Sequence, residues 1–135
     1  MRMIKRSEEK IKEIEENLQE LEEIIPVNFE EYVNDFKTKA ACERYFERIV
    51  EAITDLSYMI IAENNFKTPE DDKHSFEVLF NEKLISETLK KRLQEAKGMR
   101  NILAHEYGKV HDELVFESIS SEIIKDAKEF INLLK

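Results

Sequence analysis

The chain has 135 residues, of which 38% are charged and 41% hydrophobic; 21 Lys and Arg stand against 30 Asp and Glu, a formal net charge of −9. This length suits one domain with a core of its own; the apolar share excludes a wholly disordered chain, and the charged share excludes a membrane-embedded one. Two Gly and two Pro disfavour all-β folds and Gly-loop nucleotide folds, and the net charge by itself argues against nucleic acid, because an acidic surface repels phosphate.

The apolar spacing is helical nearly throughout. Ile4, Ile11, Ile14, Leu18, Leu21 and Ile25 form one stripe that ends at Pro26, which predicts a first helix of about six turns. Asn28 is placed to cap the next helix, with Glu30 and Glu31 in its first turn. Phe29, Val33, Phe36, Ala40, Ala41, Tyr45, Ile49, Ala52, Ile53, Leu56, Met59 and Ile60 keep the period to about Phe66 with no Gly or Pro between, which predicts a single long helix, straight or bent. Asn64-Asn65 and Thr68 to Asp72 mark a loop, followed by a short helix over roughly Lys73–Asn81. Ser86 is the expected N-cap of the next long helix, which carries Leu89, Leu93, Ala96 and Met99. The last helix is expected to start at Asp112, as its N-cap, and to run through Val115, Ile119, Ile123, Ala127, Phe130 and Leu134. No strand-type alternation, internal repeat or linker divides the chain. The expected fold is therefore all-α, an up-and-down bundle of four main helices plus one short helix, with residues 1–135 as a single domain.

The one cysteine, Cys42, sits in a helical apolar pattern and reads as a buried thiol. Near the N-terminus Glu8 and Glu9 arrive before any apolar run, and no stretch approaches the ~18 apolar residues of a membrane span. A soluble, cytoplasmic setting without membrane contact is expected.

Divided along the chain, the charge is uneven. Residues 86–111 hold six basic side chains (Lys90, Lys91, Arg92, Lys97, Arg100 and Lys109) against three acidic ones, with His105 and His111 besides. The remainder is strongly acidic. The basic stretch is open to two readings, a solvated helix face or a confined site for an anionic ligand. Arg44 and Arg48, one turn apart, are expected to pair with Glu47 and Glu51. His74 and His111 are expected at the surface. Cys42 has no activating neighbour in sequence, and the spacing of His105, Glu106, His111 and Asp112 matches no zinc pattern, so neither a thiol nucleophile nor a metal is expected.

Within the basic stretch lies Gly98-Met-Arg-Asn-Ile-Leu-Ala-His-Glu-Tyr-Gly108. A guanidinium is always charged and forks onto phosphate oxygens, while an imidazole takes and gives a proton near neutral pH. These two functions meet the needs of metal-free RNA cleavage, in which a base assists the ribose 2′-OH and a cation stabilises the phosphorane. Arg100 and His105 are five residues apart, so in a continuous helix they lie ~140° apart around the axis. They converge only if the helix ends or distorts between them, or if a second chain supplies the partner group.

This segment resembles the HEPN superfamily and, within it, the HepT-like branch of toxin–antitoxin ribonucleases, whose signature is R-N-x-[LIV]-x-H-x-Y. It stands here as Arg100, Asn101, Ile102, Leu103, Ala104, His105, Glu106, Tyr107. The resemblance extends upstream through Ser75–Phe80, Leu84–Glu87 and Leu89–Leu93, and downstream through Tyr107–Val115. Carried over position by position, it implies Arg100 and His105 as the catalytic pair and Asn101 as a supporting polar residue. It implies Tyr107 as the acceptor of AMP from a minimal nucleotidyltransferase antitoxin, and a homodimer whose two motifs lie close together. The activity implied is that of an endoribonuclease toxin in a type VII-like pair, without metal or other cofactor. The alternative is a non-catalytic HEPN module that serves as a binding or regulatory subunit of a nucleotidyltransferase. His111 stands where the family commonly has an acidic residue, and Gly108 where it has an aromatic.

Overall fold

A computed structural model describes residues 3–105 and 111–135. The described chain is helical, in the order α1 (Lys5–Ile24), α2 (Phe29–Asn34), α3 (Phe36–Glu63), α4 (Asp72–Asn81), α5 (Glu87–His105), α6 (Asp112–Glu117), a π-helical turn (Ser118–Glu122) and α7 (Ile123–Leu134). No strand occurs among the described residues. No helix among them is long and apolar enough to cross a membrane.

The predicted α1 is present: Ile11, Ile14, Leu18 and Leu21 are buried, and the helix stops before Pro26. The single long helix expected from residue 29 onward is instead two. Asp35 leaves helical geometry (φ −112°, ψ 94°), and its carboxylate accepts from the N–H groups of Lys37 (3.2 Å) and Thr38 (3.3 Å) and from the Thr38 hydroxyl (2.7 Å). A short acidic side chain competes in this way with the backbone and caps a new helix. The apolar period hid the break because Val33 and Phe36, which keep that period, stand at the surface; Phe36 is 75% exposed. The residue that enters the core from α2 is Tyr32, fully buried, with its ring 5.0 Å from that of Phe116 and its hydroxyl donating to Glu43.

Two helix ends use the left-handed region without glycine. At the end of α3, Asn65 (φ 57°) lets Phe66 N–H reach the Ile61 carbonyl at 3.0 Å and Asn65 N–H reach Ala62 at 3.3 Å. At the end of α4, Lys83 (φ 65°) allows the same pair of bonds, from Leu84 to Leu79 and from Lys83 to Phe80. Both are Schellman motifs, which take up carbonyls the helix leaves unpaired. Asn28 caps α2 and Ser86 caps α5, as expected, through Glu31 N–H (2.9 Å) and Leu89 N–H (3.1 Å).

The final helix departs from expectation at its start and in its middle. His111 holds the N-cap position and Asp112 lies in the first turn. Val115, Ile119, Ile123 and Ala127 step by four and are all buried. Twelve residues in an ideal α-helix would turn the last of them ~120° away from the first. The π-helical turn Ser118–Glu122 takes up one extra residue, which leaves a residual turn of ~20° and keeps all four on the core.

One continuous cluster forms the core. Phe46, Ile49, Ile53, Leu56 and Ile60 of α3 run through its middle, with Phe76 and Leu79 of α4, Leu89 and Leu93 of α5, and Phe130 of α7 around them. Cys42 is buried in this cluster, and burial pushes its thiol up to about 11, with Glu43 adding to the shift. It is a packed thiol, not a nucleophile at neutral pH.

Candidate active site on the fifth helix

α5 continues unbroken to His105. The helix therefore neither ends nor distorts between Arg100 and His105, which lie ~140° apart around its axis and ~7.5 Å apart along it. His105 is the last described residue of the helix and is exposed. Asn101 and His105, four apart, share one face. Asn101 also borders Arg100, whose Nη1 lies 3.4 Å from Asn101 Oδ1. Asn101 thus lies between the two candidate catalytic groups around the helix. Tyr107, expected to accept AMP, lies outside the described residues, as does Lys109.

Arg100 is half-buried, with 21% of its side chain exposed. Its Nη2 donates to Oε1 of Glu51 on α3. Its Nε is buried with no hydrogen-bond partner among the described residues. One turn earlier, the buried Lys97 places Nζ 2.9 Å from Oδ2 of Asp72, at the start of α4. The Tyr58 hydroxyl donates to Oδ1 of the same carboxylate at 3.0 Å. Burial would raise the Asp72 carboxyl, but the hydrogen bonds from Lys97 and Tyr58 and the charges of Lys97 and Arg100 outweigh it and hold it below the usual range. Burial and the bond to Asp72 push the Tyr58 hydroxyl up to about 12. Leu89 and Leu93 bury one face of α5 in the core, and two ion pairs, to α4 and to α3, tie Lys97 and Arg100 to the neighbouring helices.

The expected cationic stretch is largely matched within the single chain. Lys91 pairs with Glu87 at 3.1 Å, Arg92 with Asp126 at 3.2 Å, Lys97 with Asp72 and Arg100 with Glu51. Lys90 lies over the Phe80 ring, 4.8 Å from its centre. The acidic partners come from α3, α4, α5 and α7, so most of the local excess of positive charge is neutralised when the chain folds. Arg44 pairs with Glu47 at 3.3 Å, as its spacing predicts. Arg48 does not take Glu51, which goes to Arg100; it lies over the Tyr45 ring instead. His74 is half-buried rather than exposed, because its Nδ1 accepts from Glu70 N–H at 2.9 Å. His111 is exposed, as expected. Among the described residues no group of three or more His, Cys, Asp or Glu side chains could hold a metal ion. Asp112 instead approaches Lys39 at 3.5 Å.

Glu51, Lys97, Asp72 and Tyr58 are the site residues that spacing did not reveal. Only Lys97 had a local signal, since it sits three residues before Arg100 and shares its side of the helix. Glu51 is 49 residues away in sequence, and its role exists only once α3 packs on α5.

A family model described as HepT-like, ribonuclease HepT-like, matches residues 14–134. The mRNA nuclease HepT of Shewanella oneidensis is 25% identical over 105 residues, which is 78% of each chain. Among solved structures, the tri-AMPylated Shewanella oneidensis HEPN toxin in complex with MNT antitoxin superposes with a TM-score of 0.90 at 22% identity, over 98% of each chain. A toxin–antitoxin complex with AMP-PNP gives a TM-score of 0.89 at 22% identity, over 98% of this chain and all of that one. The all-α HEPN fold is shared over 98% of this chain.

Proposed function

This chain belongs to the HepT-like ribonuclease family, and we propose that it is the metal-independent endoribonuclease toxin of a type VII-like toxin–antitoxin pair, acting as a cytoplasmic homodimer. The observation that carries this reading is the placement of the signature. Arg100 is held half-buried by its bond to another helix, while His105, at the last described position of α5, stands exposed. In the proposed reaction His105 takes the proton of a ribose 2′-OH, whose oxygen attacks the adjacent phosphorus. Arg100 stabilises the negative charge that builds on the phosphorane oxygens. The bond to the 5′-oxygen then breaks, that oxygen gains a proton from an acid, and a 2′,3′-cyclic phosphate remains. Because one helix turns Arg100 and His105 away from each other, a second copy across a two-fold axis is the natural source of the missing group at each phosphate.

The test is cleavage of RNA by protein prepared without any antitoxin, in EDTA. Wild type is expected to cut, and His105→Ala to lose at least ~100-fold in rate with its helical circular dichroism unchanged. Wild type that never cuts ends the reading.

The neutralising partner is proposed to be a nucleotidyltransferase that adds AMP to Tyr107. Each adduct places a phosphodiester charge and an adenine two residues from His105, which repels and obstructs an RNA backbone. With such an enzyme and ATP, intact mass is expected to rise in steps of AMP for wild type, and Tyr107→Phe to stay unmodified and active.

A second reading, a non-catalytic HEPN module bound to a nucleotidyltransferase, draws on the neutralised state of Lys91, Arg92, Lys97 and Arg100. The same cleavage assay separates the two.

A further inference from the structure

An arginine that must meet charge as it develops on phosphorus works best when its direction is fixed beforehand. A flexible stem does not fix it. Within the described structure, Nε of Arg100 is buried without a partner, Nη1 lies 3.4 Å from Asn101 Oδ1, and Nη2 donates to Glu51 Oε1. We infer that Glu51 is the positioning residue that aims Arg100 at the scissile phosphate, an inference that rests on the ribonuclease reading above.

The other contacts cannot do this. The bond to Asn101 is at the long limit for a hydrogen bond and comes from the next residue of the same helix, so it cannot register the guanidinium against the rest of the fold. The buried Nε has no acceptor to orient it. Glu51 comes from α3, the helix that runs through the core, and binds an η nitrogen with a charge-assisted bond. Each η nitrogen has two hydrogens, so one on each remains for phosphate oxygens. The neighbouring ion pair of Lys97 with Asp72 already ties α5 to α4, so loss of Glu51 would free the Arg100 side chain without releasing the helix. Glu51 is itself 38% exposed, and its removal opens no hole in the core.

A carboxylate that merely cancelled the charge of Arg100 would behave differently. Its removal would tighten RNA binding and leave turnover alone. The deciding experiment compares Glu51→Ala and Glu51→Gln with Glu47→Ala, which removes the Arg44 pair on the same helix. Turnover, KM for RNA and the side-chain ¹⁵N resonances of Arg100 are measured on the whole chain, with folding checked by circular dichroism. Glu51→Ala is expected to lower kcat by about 10- to 100-fold, as misaligned groups do, with KM little changed. Glu51→Gln keeps an acceptor oxygen and should recover most of the loss, while Glu47→Ala matches wild type. The Nη signals of Arg100 should be distinct in wild type and Glu51→Gln and averaged in Glu51→Ala. Wild-type kcat in Glu51→Ala overturns the assignment, and so does an equal loss in Glu51→Gln and Glu51→Ala. If wild type cuts no RNA, the ribonuclease reading fails on its own, and the resonances alone decide whether Glu51 fixes the guanidinium: signals unmoved by Glu51→Ala overturn it.

Discussion

Among the described residues Arg100 has one carboxylate within ion-pair distance, Glu51; local spacing is a good guide only to part of this pairing. Arg44 and Glu47, three apart on one helix, pair as spacing predicts. Glu51 fits the same local rule with Arg48 and breaks it, because α5 brings a guanidinium from 49 residues away. Tertiary contact overrode a bond worth only a few tenths of a kcal/mol on an isolated helix. The chemical identity of Arg100, Asn101 and His105 was legible in the sequence; the buried Lys97–Asp72–Tyr58 group beside them was not, since nothing local announces which carboxylate a buried lysine will meet. Asp126 makes a testable case of the same kind. Burial raises its carboxyl above the ordinary value, and the pull of Arg92 does not fully offset this. A raised carboxyl pKa means the folded state binds its proton more readily than the unfolded chain. The ionised group therefore lowers stability at neutral pH, and that penalty fades as pH falls through the folded pKa toward 3.8. Asp126→Asn is expected to melt no lower than wild type at pH 7 and to fare worse relative to wild type on mild acidification, because it lacks the relief that protonation of Asp126 brings, both measured by thermal unfolding across pH.

At the level of elements, periodicity located α1, α4, α5 and the last helix to within a few residues, and side-chain chemistry located Asn28 and Ser86 as caps. The break at Asp35 was missed for a physical reason. A capping aspartate inside an apolar period leaves the period intact, and only the burial of Tyr32 in place of Val33 and Phe36 reveals it. The scarcity of glycine also has an element-scale consequence. Left-handed positions at two helix ends are filled by Asn65 and Lys83. Asparagine tolerates that region, but a lysine held there carries a conformational cost of about 1–2 kcal/mol. Lys83→Gly is therefore expected to stabilise the protein by about 1 kcal/mol, after allowing for the greater freedom of glycine in the unfolded chain, as read from denaturant unfolding midpoints.

Over the whole molecule, the acidic excess first argued against nucleic acid, and the basic stretch then suggested a cationic groove. The fold alters both statements, because carboxylates from four helices pair with the cations of α5. RNA bound to the homodimer proposed above would displace few counterions beyond those that its two copies of Arg100 and their neighbours release. Binding of a non-cleavable, 2′-deoxy-substituted RNA is expected to weaken with salt at a shallow slope, equivalent to about two to four phosphates rather than the six to ten of a broad basic surface, as measured by fluorescence titration at several salt concentrations. The π-helical turn at Ser118–Glu122 has a different reach. On its N-terminal side the last helix meets α2, and on its C-terminal side it meets α1, α3 and α5, so one rod serves two sets of neighbours whose faces are out of phase with a plain α-helix. The turn acts as a phase slip of one residue, about 100°, that brings both halves into step. Were Ser118–Glu122 to wind as regular α-helix with every residue kept, each half would stay sound but the molecule would lose its timing, and either Val115 or Ala127 would have to face water; removal of a single residue there would restore the timing in a plain helix.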